Sequence, residues 1–331
     1  MWNDSHPQIY LVGGGPRILI LAMLIFAVSA DAQQHAFFQN GDIIAGGLTP
    51  VMFVADGRFD WFLPDGALNK RMAAPFNEWP SDFAFDSAGN LYSPTFFTVR
   101  IFDATGRFAR NFPRFPANWF TGIVFDKQGN AYISGSFNTG NLAKVDAAGN
   151  LLRTFALPSG IGVFDLAADQ CTIFYSSGNR IFRYDVCNAA PLPDFVSIPE
   201  PGRLRILPDG TLLVASSESL LRVNGSGAIV QSYQVPIRLI VRARGIALDV
   251  DGRSFWTTSD DMALKFDIAS GAVLASFRSS DYSFLALTVV GEPRAALVGG
   301  PAPIPVLSMW MLVVLTCCLA VAGTISAKSL G

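Results

Sequence analysis

Between about Gln39 and Pro293 the apolar positions come as short strand-length runs separated by turns built on Asp, Asn and Gly. Four segments align on one such pattern: Phe83-Ala84-Phe85-Asp86-Ser87-Ala88-Gly89-Asn90-Leu91-Tyr92, Ile123 to Tyr132, Leu204 to Leu213 and Ile246 to Phe255. Val163 to Thr172 is a degenerate fifth copy. Each reads as an apolar strand, a turn with Gly where positive φ is needed, and a second strand. A second turn follows each copy, at Asp103 to Gly106, Asp146 to Gly149, Asp185 to Asn188, Asn224 to Gly227 and Asp267 to Gly271. The unit recurs about every 40 residues, enough for four strands, and that combination predicts the blade of a β-propeller.

The two ends complete the count. Asn40 to Ile44 matches the second strand of a blade, and Met52 to Phe59 matches Ile101 to Phe108 almost position for position. The missing first strand of that blade occurs only at the far end, as Phe284 to Val290. The expected fold is therefore all-β, a six-bladed β-propeller over residues 33–298 in which the last strand joins the first blade and removes an open seam.

Composition shows that something beyond a globular core adds hydrophobicity: charged residues are 15% of the chain and mean hydropathy is +0.35. With 24 basic against 26 acidic residues, no electrostatic case exists for nucleic acid. One excess is at the N-terminus, where Arg17, an apolar run from Ile18 to Val28 and small residues through Ala32 read as a signal peptide over residues 1–32. The other is at the C-terminus. A Pro-rich spacer, residues 299–305, leads into residues 306–327, an apolar stretch of 22 residues long enough to cross a hydrocarbon core of ~30 Å as a helix, and then a tail of residues 328–331.

Ile304-Pro305-Val306-Leu307-Ser308-Met309-Trp310 resembles the opening of the IPTL-CTERM sorting signals of Gram-negative bacteria, with Ile304, Pro305, Leu307, Ser308 and Trp310 carrying the likeness. That resemblance implies an exported protein passing through periplasm and inner membrane, handled by a membrane sorting protease, and destined for the cell surface or the medium. A plain C-terminal anchor is the other reading. The repeats resemble those of NHL-repeat and streptogramin-lyase-like propellers, a likeness specific for fold and weak for function. Streptogramin lyases use a His-centred site, whereas the only histidines here, His6 and His35, precede the repeats.

Cys171 opens one strand and Cys187 ends its neighbour across the turn Ser176 to Asn179, so equal arms bring the two side by side, and with export this predicts a disulfide. Cys317 and Cys318 lie in the apolar tail and read as packing residues. The loops joining second to third strands and blade to blade are the usual ligand face. They hold Trp79, Phe96, Phe97, Trp119, Phe120, Phe137, Asn138, Arg242, Arg244, Asp260, Asp261 and Tyr282, aromatics suited to stacking and polar groups suited to orienting a ligand, with packing between blades as the competing role. No catalytic motif is visible. The leading expectation is a surface- or membrane-associated binding protein for a glycan, peptide or protein, without a cofactor. The alternative is a metal-dependent hydrolase or lactonase of gluconolactonase type, with Glu78 as a ligand to calcium or another divalent cation.

Overall fold

In the computed structural model, the residues described are 34–49, 57–72, 78–112, 117–137, 140–216, 219–235 and 245–294. The expected signal peptide and the C-terminal spacer, apolar segment and tail lie outside them. Among the described residues there are strands and no helix, and hence none long and apolar enough to cross a membrane.

Six antiparallel sheets make six blades. Blade 1 holds β1 (Ile43–Leu48), β2 (Gly57–Phe62) and β3 (Leu68–Arg71), and blade 2 holds β4 (Ala84–Phe85), β5 (Leu91–Pro94), β6 (Val99–Phe102) and β7 (Phe108–Asn111). Blade 3 is β8 (Ala117–Phe125), β9 (Ala131–Phe137), β10 (Gly140–Val145) and β11 (Leu151–Phe155). Blade 4 starts with β12 (Phe164–Leu166), β13 (Thr172–Ser177) and β14 (Arg180–Asp185). Its outer edge is two short bridges, β15 (Ala190–Pro191) and β16 (Val196–Ser197), both paired with β14. Pro191 and Pro193 explain the interruption, since proline offers no N–H to a ladder and is tolerated only on an edge. Blade 5 is β17 (Pro201–Ile206), β18 (Leu212–Ser216), β19 (Leu220–Val223) and β20 (Ile229–Tyr233); blade 6 is β21 (Gly245–Leu248), β22 (Ser254–Ser259), β23 (Met262–Asp267) and β24 (Val273–Arg278).

The last strand, β25 (Ser283–Val289), pairs antiparallel with β1, from Ile43↔Val289 to Leu48↔Ser283, and completes blade 1 as its innermost strand. The ladder shifts register between Gly46 and Gly47, where the two backbones come so close that a Cβ on Gly47 would lie 1.9 Å from the Ser283 carbonyl oxygen.

The core follows from the alternation of side chains along each strand. Six apolar clusters each fill the space between two successive blades, the sixth and first included. Leu91 packs toward blade 1 and its neighbour Tyr92 toward blade 3; Phe255 packs toward blade 5 and Trp256 toward blade 1. Strands buried on both faces are why the sequence shows apolar runs rather than a strict alternation.

The turns lie at one end. In the first, Asp86 Oδ1 accepts the N–H groups of Ala88 at 2.9 Å and Asn90 at 2.8 Å, while Gly89 at φ 81° closes the loop by donating to the Asp86 carbonyl. Asp126 repeats the arrangement with Gln128 and Asn130. The degenerate copy places Gln170 at φ 64° where its counterparts have Gly. Just beyond the outer turns, the apolar pairs Leu151 and Leu152, Ile229 and Val230, and Val273 and Leu274 are about half exposed at equivalent positions, and Leu68 is their counterpart in blade 1.

Candidate functional site

Two constellations stand out, one in the central channel and one at the end opposite the turns. The innermost strands face the channel with backbone groups that no neighbouring strand can pair. Three carboxylates take three of the N–H groups: Asp82 accepts from Ile123 at 3.0 Å, Asp165 from Ile206 at 2.9 Å and Glu292 from Leu248 at 2.8 Å. Three guanidinium groups donate to carbonyls, Arg205 to Ile246 at 3.1 Å, Arg294 to Phe83 at 3.2 Å and Arg203 to Ser81.

The same six side chains pair with one another. Arg203 spans the channel from blade 5 to Asp82 at blade 2 (3.6 Å), Arg205 meets Asp165 (3.7 Å) and Glu292 (3.0 Å), and Arg294 meets Glu292 (3.2 Å). Burial pushes the Asp165 carboxyl up from its ordinary range, and the charges of Arg205 and Arg294 oppose that rise. Burial likewise works against the Arg205 charge, but Glu292 and Asp165 overcome it and hold the guanidinium more firmly protonated than usual. The narrow cavity beside this network is lined by Asp82, Arg203, Arg205, Gly245 and Leu287. Among the described residues, three acids face three bases in this network, so each carboxylate is already engaged by an arginine.

The second constellation lies between blades 2 and 3. Trp79, in the connection leading to β4, meets Phe96 at 6.2 Å between ring centroids. Phe96 meets Phe97 at 4.5 Å within the β5–β6 hairpin loop and Trp119 of β8 at 4.2 Å. Phe97 is 62% exposed and Trp119 61%. The β8–β9 ladder shifts register between Asn118 and Gly122, and within that bulge Trp119 adopts φ 62°, its N–H donating to the Phe96 carbonyl at 2.9 Å. A bulge re-aims side chains, and a bulky residue in the left-handed region carries strain of about 1–3 kcal/mol. The backbone is thus held in an unfavourable conformation while the indole stands in solvent.

The structure gathers Trp79, Phe96, Phe97 and Trp119 and places the other described candidates elsewhere. Tyr282 is buried in the cluster between blades 6 and 1, against Phe284 at 5.2 Å, and Phe120 is buried between blades 2 and 3. Asp261 pairs with Arg278 at 2.7 Å, and Asp260, at φ 51°, accepts the Phe284 N–H on its carbonyl. Asn138, Arg242, Arg244 and the side chain of Phe137 lie outside the described residues. Glu78 pairs with Arg100 at 3.0 Å and accepts the Thr95 hydroxyl. Cys171 and Cys187 are bonded, their Cα atoms 5.2 Å apart, Cys171 one residue before β13 and Cys187 two residues after β14. With Asp185 they form the one group of three metal-ligating side chains among the described residues, and two of its three donors are that disulfide.

The sequence reading passed over the channel network. Its signal was present, since Arg205 stands where the aligned copies have Ala84, Val124 and Ala247, and Asp165 where they have Phe85, Phe125 and Leu248.

The fold defines a closed six-bladed β-propeller. Solved structures agree with that class. A protein of unknown function from Bacteroides caccae superposes with a TM-score of 0.60 at 11% identity, covering 76% of this chain and 99% of its own. A chain from a nidogen/laminin complex superposes with a TM-score of 0.59 at 12% identity, covering 76% and 98%. No family model matches the sequence, and no curated protein matches it.

Proposed function

We propose that the chain is an exported binding protein, a propeller of NHL-repeat type that presents the patch of Trp79, Phe96, Phe97 and Trp119 to a glycan, peptide or protein. A signal peptide over residues 1–32 directs it out of the cytoplasm, and the IPTL-CTERM-like segment from Ile304 holds it at the membrane until a sorting protease releases it toward the cell surface. The observation that carries the binding role is Trp119, an exposed indole on a strained backbone. Such strain persists where surrounding structure enforces it, and it concentrates at ligand sites. Exposed, mutually braced aromatic rings offer large contact area at small entropic loss, the property that suits sugar rings and extended peptides alike.

The test is a glycan array and a peptide array probed with the native protein and with a Trp119→Ala/Phe97→Ala double variant. Array ligands retained by the native protein are expected to be lost by the double variant with its melting temperature nearly unchanged. Equal retention by both proteins removes the patch from the function.

A further inference from the structure

We infer that the end of the propeller bearing the Asp/Gly turns is the end that lies against the membrane, with a zwitterionic lipid surface as its partner. The inference rests on the reading of residues 306–327 as a membrane anchor and adds the face that anchor presents.

The first argument is where the chain leaves the fold. β25 ends at Val289, and Val290 exchanges backbone hydrogen bonds with Gly41 and Asp42 at the turn end. Gly291 follows at φ 78° beside Asn40 and Val250, the latter within the Asp249 to Gly252 turn. Glu292 and Arg294 then reach back into the channel, to Arg205 and the Leu248 N–H and to the Phe83 carbonyl. The last described residue is therefore pinned at the channel mouth on the turn end.

Eleven residues, 295–305, separate it from the apolar segment. Their composition, Pro-rich from Pro301, suits an extended chain at ~3.1 Å per residue, which reaches about 34 Å. To bring the opposite end to the bilayer, the chain would first have to cross the radius of a four-stranded blade, about 20 Å from the axis with strands ~4.8 Å apart. It would then descend the blade, another ~20 Å for a six-residue strand. That route exhausts the tether before lipid is met, whereas the turn end needs no detour.

The second argument is the apolar surface. Of the eleven large apolar side chains exposed among the described residues, eight sit in or directly after the turns: the three outer-turn pairs, Leu68 and Val250. They recur at equivalent positions in several blades, so they encircle one end instead of forming a single groove, the distribution expected for contact with a plane. The same turns carry partly exposed Asp146, Asp185 and Asp267, whose carboxyls are held below their ordinary range by the Asn150, Asn188 and Ser270 groups that donate to them, and exposed Asp65, Asp169, Asp209 and Asp251 against exposed Arg107, Lys127 and Arg253. Ionised carboxylates at the contact disfavour an anionic surface, which is why the partner is zwitterionic lipid. Phe97 and Trp119 then point away from the bilayer, where a partner can approach.

The test uses the full chain with Cys317→Ala and Cys318→Ala, so that one introduced cysteine is the only free thiol beside the disulfide. It is inserted into phosphatidylcholine vesicles containing an energy-acceptor lipid, and a donor dye is attached at Leu274→Cys, at Ile229→Cys or at Phe97→Cys. The labels at Leu274→Cys and Ile229→Cys are expected to be quenched several-fold more than the label at Phe97→Cys, and adding anionic lipid is expected not to widen the gap. Protein that floats with the vesicles yet shows equal or reversed quenching overturns the face assignment alone. A gap that widens with anionic lipid overturns the choice of lipid. Protein that fails to float overturns the anchor and the inference together.

Discussion

Replacing Arg205 by Met removes one cation from the channel and leaves its two carboxylate partners buried. Asp165 and Glu292 are each nearly inaccessible, at 4% and 3% side-chain exposure, and Arg205 is 6% exposed, so solvent cannot screen the loss. Breaking a buried pair by deleting one partner is strongly destabilising, and the expected loss is about 3–5 kcal/mol. The pH dependence identifies the cause. Asp165 already has a raised folded-state pKa, so its burial is a penalty that is complete above that value and relieved on acidification toward the unfolded value of 3.8. Without Arg205 the folded value rises further, and the variant's deficit should be largest near neutral pH and shrink toward pH 5. Urea unfolding of residues 34–294 at both pH values, followed through the buried Trp61 and Trp256, measures it. Adding Glu292→Gln to Arg205→Met should recover part of the loss by restoring charge balance. A deficit below about 1 kcal/mol, or one equal at both pH values, refutes the account of the channel as a mutually dependent charge network.

Replacing Cys171 and Cys187 by Ser opens a link across 16 residues and should lower stability by about 3 kcal/mol on the chain-entropy account, read as a drop in the urea midpoint; intact non-reducing mass spectrometry of the exported protein should show the bond in the native chain. Gly47→Ala places a methyl against the Ser283 carbonyl in the closing ladder and should cost about 1–3 kcal/mol, whereas deleting Phe284 to Val290 should abolish cooperative melting; a truncated chain that melts like its parent contradicts the closure. Pro305→Leu with Trp310→Leu should block processing in the native host while leaving membrane insertion intact, and identical masses and fractionation for variant and native protein would reduce the segment to a passive anchor.

The blades were legible because turn chemistry is local: Asp86, Gly89 and Asn90 satisfy one another within five residues, so the pattern survives in sequence. The closing strand was legible for a different reason, as an unmatched second strand at one end and first strand at the other, although the likeness of Met52–Phe59 to Ile101–Phe108 misplaced the outer turn of blade 1, which falls at Leu63 to Gly66 with Gly57 opening β2. The aromatic patch was half legible. Residue type marked Trp79, Phe97 and Trp119, but only the bulge around Trp119 shows which rings meet and which, like Tyr282, turn inward. The channel's charged positions were marked in the strands, but their pairing was hidden because it joins residues as far apart as Asp82 and Arg203, and no periodicity records which inner strands face each other across an axis.

Closure by β25 also governs when the molecule becomes a folded object. On its inner side Leu48 is partnered by Ser283, 235 positions later, and ordering so long a loop costs on the order of 5 kcal/mol before the seam returns any contact. Blade 1 lacks its inner strand, and the channel lacks Glu292 and Arg294, until nearly the whole chain is available. A chain emerging from its N-terminus therefore stays short of its native state until its last strand is free to pair. Blade 1 and the channel network thus lock only when the last strand arrives.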